Sequence, residues 1–255
     1  MTIEKLKHCP LFKKETLLNL DLLENQGYCN TNYKLKTSQN SYLVRVFKSR
    51  ESVYVSREFE FKIQKKAYEK NIAAKPLFLD IESNYMVCEF SKGKHKKTLK
   101  TKEIKRIAKM VKKLHSIKSS CVAYDFKKAL KQYEQTLGKQ EARKSIRICK
   151  KELQALKKHK IQLVSCHHDL NPKNILFHKK SIKFIDWEYA GCNDAFFDLA
   201  TLCFEFGLDK KEQNVLLKSY QGKVEKKDIQ KLHSYMCLYE HICKLWFMGL
   251  NEDTN

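Results

Sequence analysis

Glycine and proline are scarce in this chain of 255 residues, occurring seven and three times. With so few of either, a low-complexity linker or a loop-dominated, disordered architecture is excluded except at the ends. No apolar run approaches the length that spans a bilayer, so no transmembrane segment is expected. Arginine is rarer still, at positions 45, 50, 57, 106, 143 and 147 among 51 basic residues. Specific readout of phosphates and bases favours the arginine fork over the lysine point charge. The formal net charge of +22 therefore reads mainly as a lysine-rich solvated surface. No RNP-like, KH-like or helix-turn-helix signature accompanies it, and no nucleic-acid partner is expected. Ten cysteines are present, but none has C-x-x-C or zinc-finger spacing. The opening MTIEKLKHCPLFKKE has no continuous apolar segment of the secretory kind. The expectation is a cytoplasmic protein with reduced thiols.

What is present is enough apolar residue, 42%, for one large domain or two lobes. Residues 17–90 are β-rich with one helix. Tyr33–Lys36 and Tyr42–Phe47 read as strands around a TSQNS turn. Val53–Lys70 reads as a helix with Val55, Phe59, Ile63 and Ala67 at four-residue spacing. Pro76–Ile81 and Tyr85–Phe90 form a second strand pair turned at Glu82-Ser83-Asn84. Gly93 and the lysines after it close this region, dividing the chain at 1–90 and 91–255. Helices dominate from Thr98. One has a face of Ile104, Ile107, Ala108, Val111, Leu114 and His115, and a basic helical segment covers 139–160. After Asp194, Leu199, Leu202, Cys203 and Phe206 mark another apolar face, as do Tyr235, Leu238, Tyr239, Ile242 and Leu245.

Between these helices lies Cys166-His167-His168-Asp169-Leu170-Asn171-Pro172-Lys173-Asn174-Ile175-Leu176-Phe177, and Asp186 follows in Phe184-Ile185-Asp186-Trp187-Glu188-Tyr189. The run from Ile175 to Ile185 reads as a short hairpin that brings Asn174 and Asp186 together at its open end. An amide oxygen and a carboxylate there can share a hard cation such as Mg²⁺. Asp169, five residues before Asn174, can accept the proton of an incoming hydroxyl. His167 reads as a packed residue that shapes this loop; metal ligation together with Cys166 and His168 is the alternative.

On these residues the chain resembles the choline/ethanolamine kinases within the aminoglycoside phosphotransferase and protein-kinase-like group. His167, Asp169 and Asn174 meet the pattern H-x-D-x-x-x-x-N. Ile185-Asp186-Trp187-Glu188-Tyr189 is similar to the I-D-x-E-Y segment, and Phe197-Asp198-Leu199-Ala200 with Glu205 to the F-D-[IL]-[AG]-x-x-x-x-E helix. Leu114-His115, Tyr42-Leu43-Val44-Arg45 and Arg57-Glu58-Phe59-Glu60 also match the family's segments. The resemblance covers residues 20–250 or so. It implies an α+β, bilobal, protein-kinase-like fold: a small antiparallel-sheet lobe with one helix that binds nucleotide, then a larger, mainly helical lobe that carries catalysis and substrate.

The resemblance also implies roles, with ATP and Mg²⁺ as cofactors. Asp169 becomes the catalytic base, and Asn174 and Asp186 the metal ligands. Arg45 would contact the ATP phosphates, positioned by Glu60 or by Glu58. Asn30, Thr31 and Asn32, with Gly27, would form a phosphate-covering turn. Cys88, Glu89 and Phe90 would be the hinge toward adenine, and Asp198 would brace the catalytic loop. Acids and aromatics gather after the catalytic loop, in an otherwise basic chain. Aromatic faces and carboxylates hold a quaternary ammonium. Tyr189, Glu205 and Trp246, with Glu188 and Asn171, are accordingly the acceptor-site candidates, and choline the first substrate. The family usually has two tryptophans three apart in its last helix, whereas Cys243-Lys244-Leu245-Trp246 offers one. Ethanolamine, thiamine, an aminoglycoside or a sugar are the alternatives. No long activation segment or A-P-E follows Asp186, which argues against a protein kinase.

Overall fold

Alternation along the strands and an apolar stripe on each helix generate the elements, which the computed structural model describes over residues 1–24, 29–48, 56–121, 123–138, 140–179 and 181–252. The first part of the chain holds α1 (Ile3–Lys7), β1 (Leu17–Leu22), β2 (Asn30–Thr37), β3 (Ser41–Phe47), α2 (Arg57–Glu69), β4 (Pro76–Asp80) and β5 (Tyr85–Glu89). Next come α3 (Thr101–His115), α4 (Phe126–Thr136), α5 (Gln140–Leu156), β6 (Leu163–Cys166), β7 (Ile175–His178) and β8 (Ser181–Phe184). The chain continues with β9 (Gly191–Asp194), α6 (Ala195–Glu205), α7 (Lys210–Gln221) and α8 (Lys226–Glu252). Two compact units result: Met1–His95 with Lys173–Ala190, and Lys96–Pro172 with Gly191–Asn255. The sequence suggested 91–255 as one lobe, but the segment from Lys173 to Ala190 groups with the first unit.

In that first unit the strands form one antiparallel sheet in the order β1-β2-β3-β5-β4. Strand β1 was missed in the sequence because only Leu17 and Leu20 are even half-buried, so its alternation is weak. Successive side chains of a strand point to opposite faces. Thus Tyr42 and Val44 of β3 join Leu6, Phe12, Leu35, Tyr85 and Val87 in one core cluster. Phe47 joins Met86 and Cys88 in another, with Leu43 and Phe61 packed against it. Arg45 shares the parity of Leu43 and Phe47, so it faces the side that α2 covers. Ser56 caps α2, its Oγ accepting from the Phe59 N–H at 3.2 Å. Its buried stripe runs through Glu60, Ile63, Gln64 and Ala67; Ile63 and Ala67 are those of the expected stripe, whereas Phe59 is half-buried and Glu60 is buried beside it. The expected residues 53–55 of this helix lie outside the described residues.

The hairpin β7–β8 has the expected form, with Ile175 opposite Phe184 and His178 opposite Ser181. Phe184 donates its N–H to Ile72 O at 2.7 Å, and Lys94 and Phe177 exchange backbone hydrogen bonds of 2.9 and 3.0 Å. Gly93 sits beside this contact, where an added Cβ would lie 2.9 Å from Leu176 Cβ and 3.3 Å from Phe177 O. Gly93→Ala should therefore overpack the contact of this segment with β7. A loss of about 1–3 kcal/mol, read as a fall of several degrees in Tm, is the expected result. An unchanged Tm would mean that the contact yields freely.

The second unit is helical. Ile104, Ile107, Ala108, Val111, Leu114 and His115 are the buried face of α3, as the periodicity predicts, and α3 packs on α7 and β6. Helix α8 packs on α5 and α6. Strand β9, not foreseen, pairs antiparallel with β6. Its last residue, Asp194, caps α6 by accepting from the Phe196 N–H at 2.9 Å, and takes the buried Lys231 Nζ at 2.6 Å. Cys121 and Cys192 form a disulfide with Cα atoms 5.5 Å apart, so not all ten cysteines are reduced. The two lie 71 residues apart, and spacing of that kind carries no pairing signal. No helix of the described residues is long and apolar enough to cross a membrane.

Candidate active site

In the first unit, a ladder of backbone hydrogen bonds positions the two candidate metal ligands. Asn174 ends a single 3-10 turn, Pro172–Asn174, immediately before β7. Its carbonyl accepts the Ile185 N–H at 3.0 Å, which places Asp186 just past the open end of the hairpin. Asp186 adopts φ +64°, a left-handed conformation that Asp tolerates better than most residues. Trp187, fully buried, donates its Nε1–H to Phe184 O at 3.2 Å and fixes the turn that follows.

Around Asp186 lies a chain of buried charges. Arg45 donates from Nη2 to Asp186 Oδ1 at 2.6 Å and from Nη1 to Glu60 Oε1 at 2.6 Å. Glu60 is therefore its helix partner, while Glu58 is exposed. Arg57 donates from Nη1 to the other Glu60 oxygen at 2.8 Å and lies 3.6 Å from Glu188 Oε2. That same Glu188 oxygen accepts Asn30 Nδ2 at 2.9 Å. Arg45, Arg57 and Glu60 are each at most 3% exposed, where an unpaired charge could not stand. Burial, and then the negative charge of Asp186, pushes the Glu188 carboxyl up to about 7. Glu60, Asp186 and Glu188 thus set three carboxyl groups against two guanidiniums. The Asp186 carboxylate at the hairpin end, with the Asn174 amide on the facing strand end, is the kind of oxygen donor set that fits a hard divalent cation such as Mg²⁺.

Several expected residues take other positions. Asn30, Thr31 and Asn32 are not in a turn: they pair with Phe47, Val46 and Arg45 at the start of β2, because the strand begins before the apolar alternation that signals it. Gly27, named with them, lies outside the described residues. Cys88 is buried and accepts Gln64 Nε2 at 3.4 Å. At the expected hinge, Glu89 and Phe90 give their backbone N–H groups to Lys75 O and Ser41 O at 2.9 and 3.2 Å. Those donors serve the strand ends. Glu188 is 6% exposed and engaged with Asn30 and Arg57, unlike an open acceptor-site carboxylate. Tyr189 Oη lies 3.5 Å from Cys29 Sγ.

The second unit carries the candidate base. Asp169 is half-buried, and its Oδ1 accepts Asn171 Nδ2 at 2.8 Å. Asn171 therefore orients the carboxylate. Behind it, Asp198 accepts the backbone N–H groups of His167 and His168, both at 2.9 Å. His115 Nε2 lies 3.2 Å from the same carboxylate, and its Nδ1 lies 2.8 Å from Tyr220 Oη. Burial alone would raise the Asp198 carboxyl, but the His115 contact and the loop N–H groups hold it below the usual range. His115, Cys166 and Asp198 bring three metal-type donor atoms within 4.8 Å. His115 and Asp198 are occupied by each other and by the loop, and Cys166 Sγ faces the Asn193 and Asp194 carbonyls at 3.8 and 3.7 Å. This is a hydrogen-bonded core, and His167 packs beside it, fully buried. Tyr220 was not signalled by the sequence, since it lies on a separate helix with no motif.

Helix α8 supplies the acceptor-side candidates. Tyr239 donates to Glu205 Oε1 at 2.8 Å. Its phenol is pushed well up, first by burial, then by the charges of Cys243, Asp169 and Glu205. Asp169, Glu205 and the phenol therefore share one electrostatic environment. Phe197 and Phe204 pack edge-on against the Tyr239 ring at 5.9 and 5.6 Å. Trp246 is half-buried, with Phe247 edge-on at 5.0 Å. Tyr239 belongs with Glu205, and its i, i+7 spacing to Trp246 on one helix was its available signal.

Three comparisons bear on this arrangement. The sequence profile of the choline/ethanolamine kinase family matches residues 21–243. Protein LicA of Haemophilus influenzae is 39% identical over 93 residues, 34% of this chain and 27% of that protein. Human ethanolamine kinase 2 is 42% identical over 67 residues, 24% of this chain and 17% of that protein. The chain thus spans a minor part of the length of the curated relatives it matches. The crystal structure of choline kinase LicA from Streptococcus pneumoniae superposes with a TM-score of 0.83 at 23% identity, over 99% of this chain and 90% of that one. The protein-kinase-like α+β fold follows from that superposition.

Proposed function

Because the chain belongs to the choline/ethanolamine kinase family, we propose that it transfers the γ-phosphoryl group of ATP to the hydroxyl of a small amino-alcohol, choline first. What supports this reading is the hairpin end, where Asn174 O accepts the N–H of Ile185 next to Asp186 at 3.0 Å, with Arg45 at 2.6 Å from Asp186. Asp169 is the base. It takes the hydroxyl proton as the acceptor oxygen bonds to phosphorus and the bond to the ADP oxygen breaks. Asn171, bound to Asp169 Oδ1, holds the carboxylate in one orientation for that transfer. Asp198 holds the loop backbone from behind. Asn174 and Asp186 would hold Mg²⁺, whose charge neutralises phosphate oxygens when bound. Arg45, kept cationic by Glu60 and Asp186 against the effect of burial, adds a second positive charge toward those oxygens. No covalent intermediate on the protein is needed; positioning and charge do the work.

On the acceptor side, Glu205 offers a carboxylate to the ammonium, while Tyr239 and Trp246 offer aromatic faces. A full cage would favour the quaternary choline, and the single tryptophan keeps ethanolamine as the next acceptor. The test is steady-state transfer with Mg–ATP and a panel of choline, ethanolamine and thiamine, beside thermal shifts with Mg–ADP. Expected is turnover with choline above ethanolamine. Stabilisation by Mg–ADP without turnover on any amino-alcohol would refute the acceptor, and the absence of both responses would refute the kinase reading.

A further inference from the structure

The chain uses arginine only six times among 51 basic residues, yet two of the six, Arg45 and Arg57, are buried in one charge cluster, each 3% exposed. Arg45 already has a role toward phosphate. Arg57 has none, and burying a second guanidinium is costly unless its partners require it. Its surroundings show what it does. It is the first residue of α2, directly after the Ser56 cap. Its guanidinium lies 4.1 Å from the centre of the Phe47 ring, which fixes the plane of the fork. Nη1 then meets one oxygen of Glu60 at 2.8 Å and lies 3.6 Å from one of Glu188.

These contacts close a ring. Glu60 turns its other oxygen to Arg45, Arg45 reaches Asp186, and Asp186 is joined to Glu188 through Trp187. From these contacts we infer that Arg57 is a positioning residue for the nucleotide site, tying Glu60 to Glu188 and so setting both Arg45 and the metal ligand Asp186. The inference rests on the kinase reading and extends it to a residue that touches no reacting atom. A lysine at this position would keep the charge but not the flat fork on Phe47 between two carboxylates.

The test compares wild type, Arg57→Lys and Glu188→Gln by calorimetric titration with Mg–ADP and by the KM values for ATP and acceptor. Glu188→Gln nearly preserves shape and keeps an oxygen for Asn30, so it reports on the ring even where Arg57→Lys fails to fold. Removing outer-shell partners of a metal site typically lowers affinity or activity about 10–100-fold, and a loss of that size in Mg–ADP affinity is expected for both variants. The KM for ATP should rise with it while the acceptor KM stays within twofold or so. Wild-type Mg–ADP affinity in both variants, with only a lowered Tm, would reduce Arg57 to a structural residue and overturn the inference. Failure of the wild type itself to bind Mg–ADP would instead sink the kinase reading on which it stands.

Discussion

Asp169→Ala should lower phosphoryl transfer by about 10²–10⁴-fold, the usual contribution of a placed general base. The Mg–ADP thermal shift should meanwhile stay near that of the wild type. The split is expected because Asp169 is half-buried and contacts Asn171, whereas the phosphate-side groups Arg45, Glu60 and Asp186 form their own network without it. Truncation leaves the Asn171 amide one partner short at a site that is not fully buried, so the fold should tolerate it. Asp169→Asn is the closer control, since it retains size and removes only the basic oxygen. Single-turnover rates at saturating Mg–ATP measure the effect on chemistry directly. Transfer at the wild-type rate in either variant would remove Asp169 from the mechanism.

Asp198→Ala should damage the protein in a different way, through stability. The carboxylate is fully buried and satisfies two loop N–H groups and His115 at once. Breaking a buried charged network by removing one partner typically costs about 3–5 kcal/mol. For a chain of this size that corresponds to a fall in Tm of about 10 °C. The contribution also depends on pH. The folded carboxyl lies below its usual range, so its stabilisation is complete above the unfolded pKa of about 3.9. It is lost as pH falls through the folded value. The Tm gap between wild type and Asp198→Asn should be widest near neutral pH and narrow below about pH 4. A gap constant from pH 7 to pH 3 would contradict the assignment.

The candidate catalytic segment stood out in the sequence because its spacing and its chemistry coincide. The hairpin announced itself by two apolar runs and a polar turn, and Asn174 and Asp186 then followed from its register. The α3 face was legible for a similar reason, since a strongly amphipathic helix has one way to bury itself. Glu60 was named from the family's helix start, not from the apolar stripe, because a periodicity of apolar residues gives no reason to bury a glutamate. The charged stripe only makes sense once Arg45 is seen to share its face. Asn30–Asn32 were expected in a phosphate-covering turn from the family resemblance, but the ladder to β3 takes them into the start of β2. Glu188 read as an acceptor-site acid from its motif; its burial against Arg57 depends on a residue 131 places earlier, a distance over which no pattern runs. The Cys121–Cys192 bond and the β6–β9 pairing are non-local in the same sense.

The register of β7 and β8 carries one more consequence. Asn174 and Asp186 are held by the ladder at the base of the hairpin, while the turn beyond His178 is at the far end. The separation of these two residues in space is therefore uncoupled from the number of residues between them. Homologues could lengthen or shorten that tip in steps that keep the strands in phase, and still present the same pair. Any pattern search that demands a fixed interval from asparagine to aspartate will overlook such relatives, whereas one that asks for two strands meeting in phase will retain them.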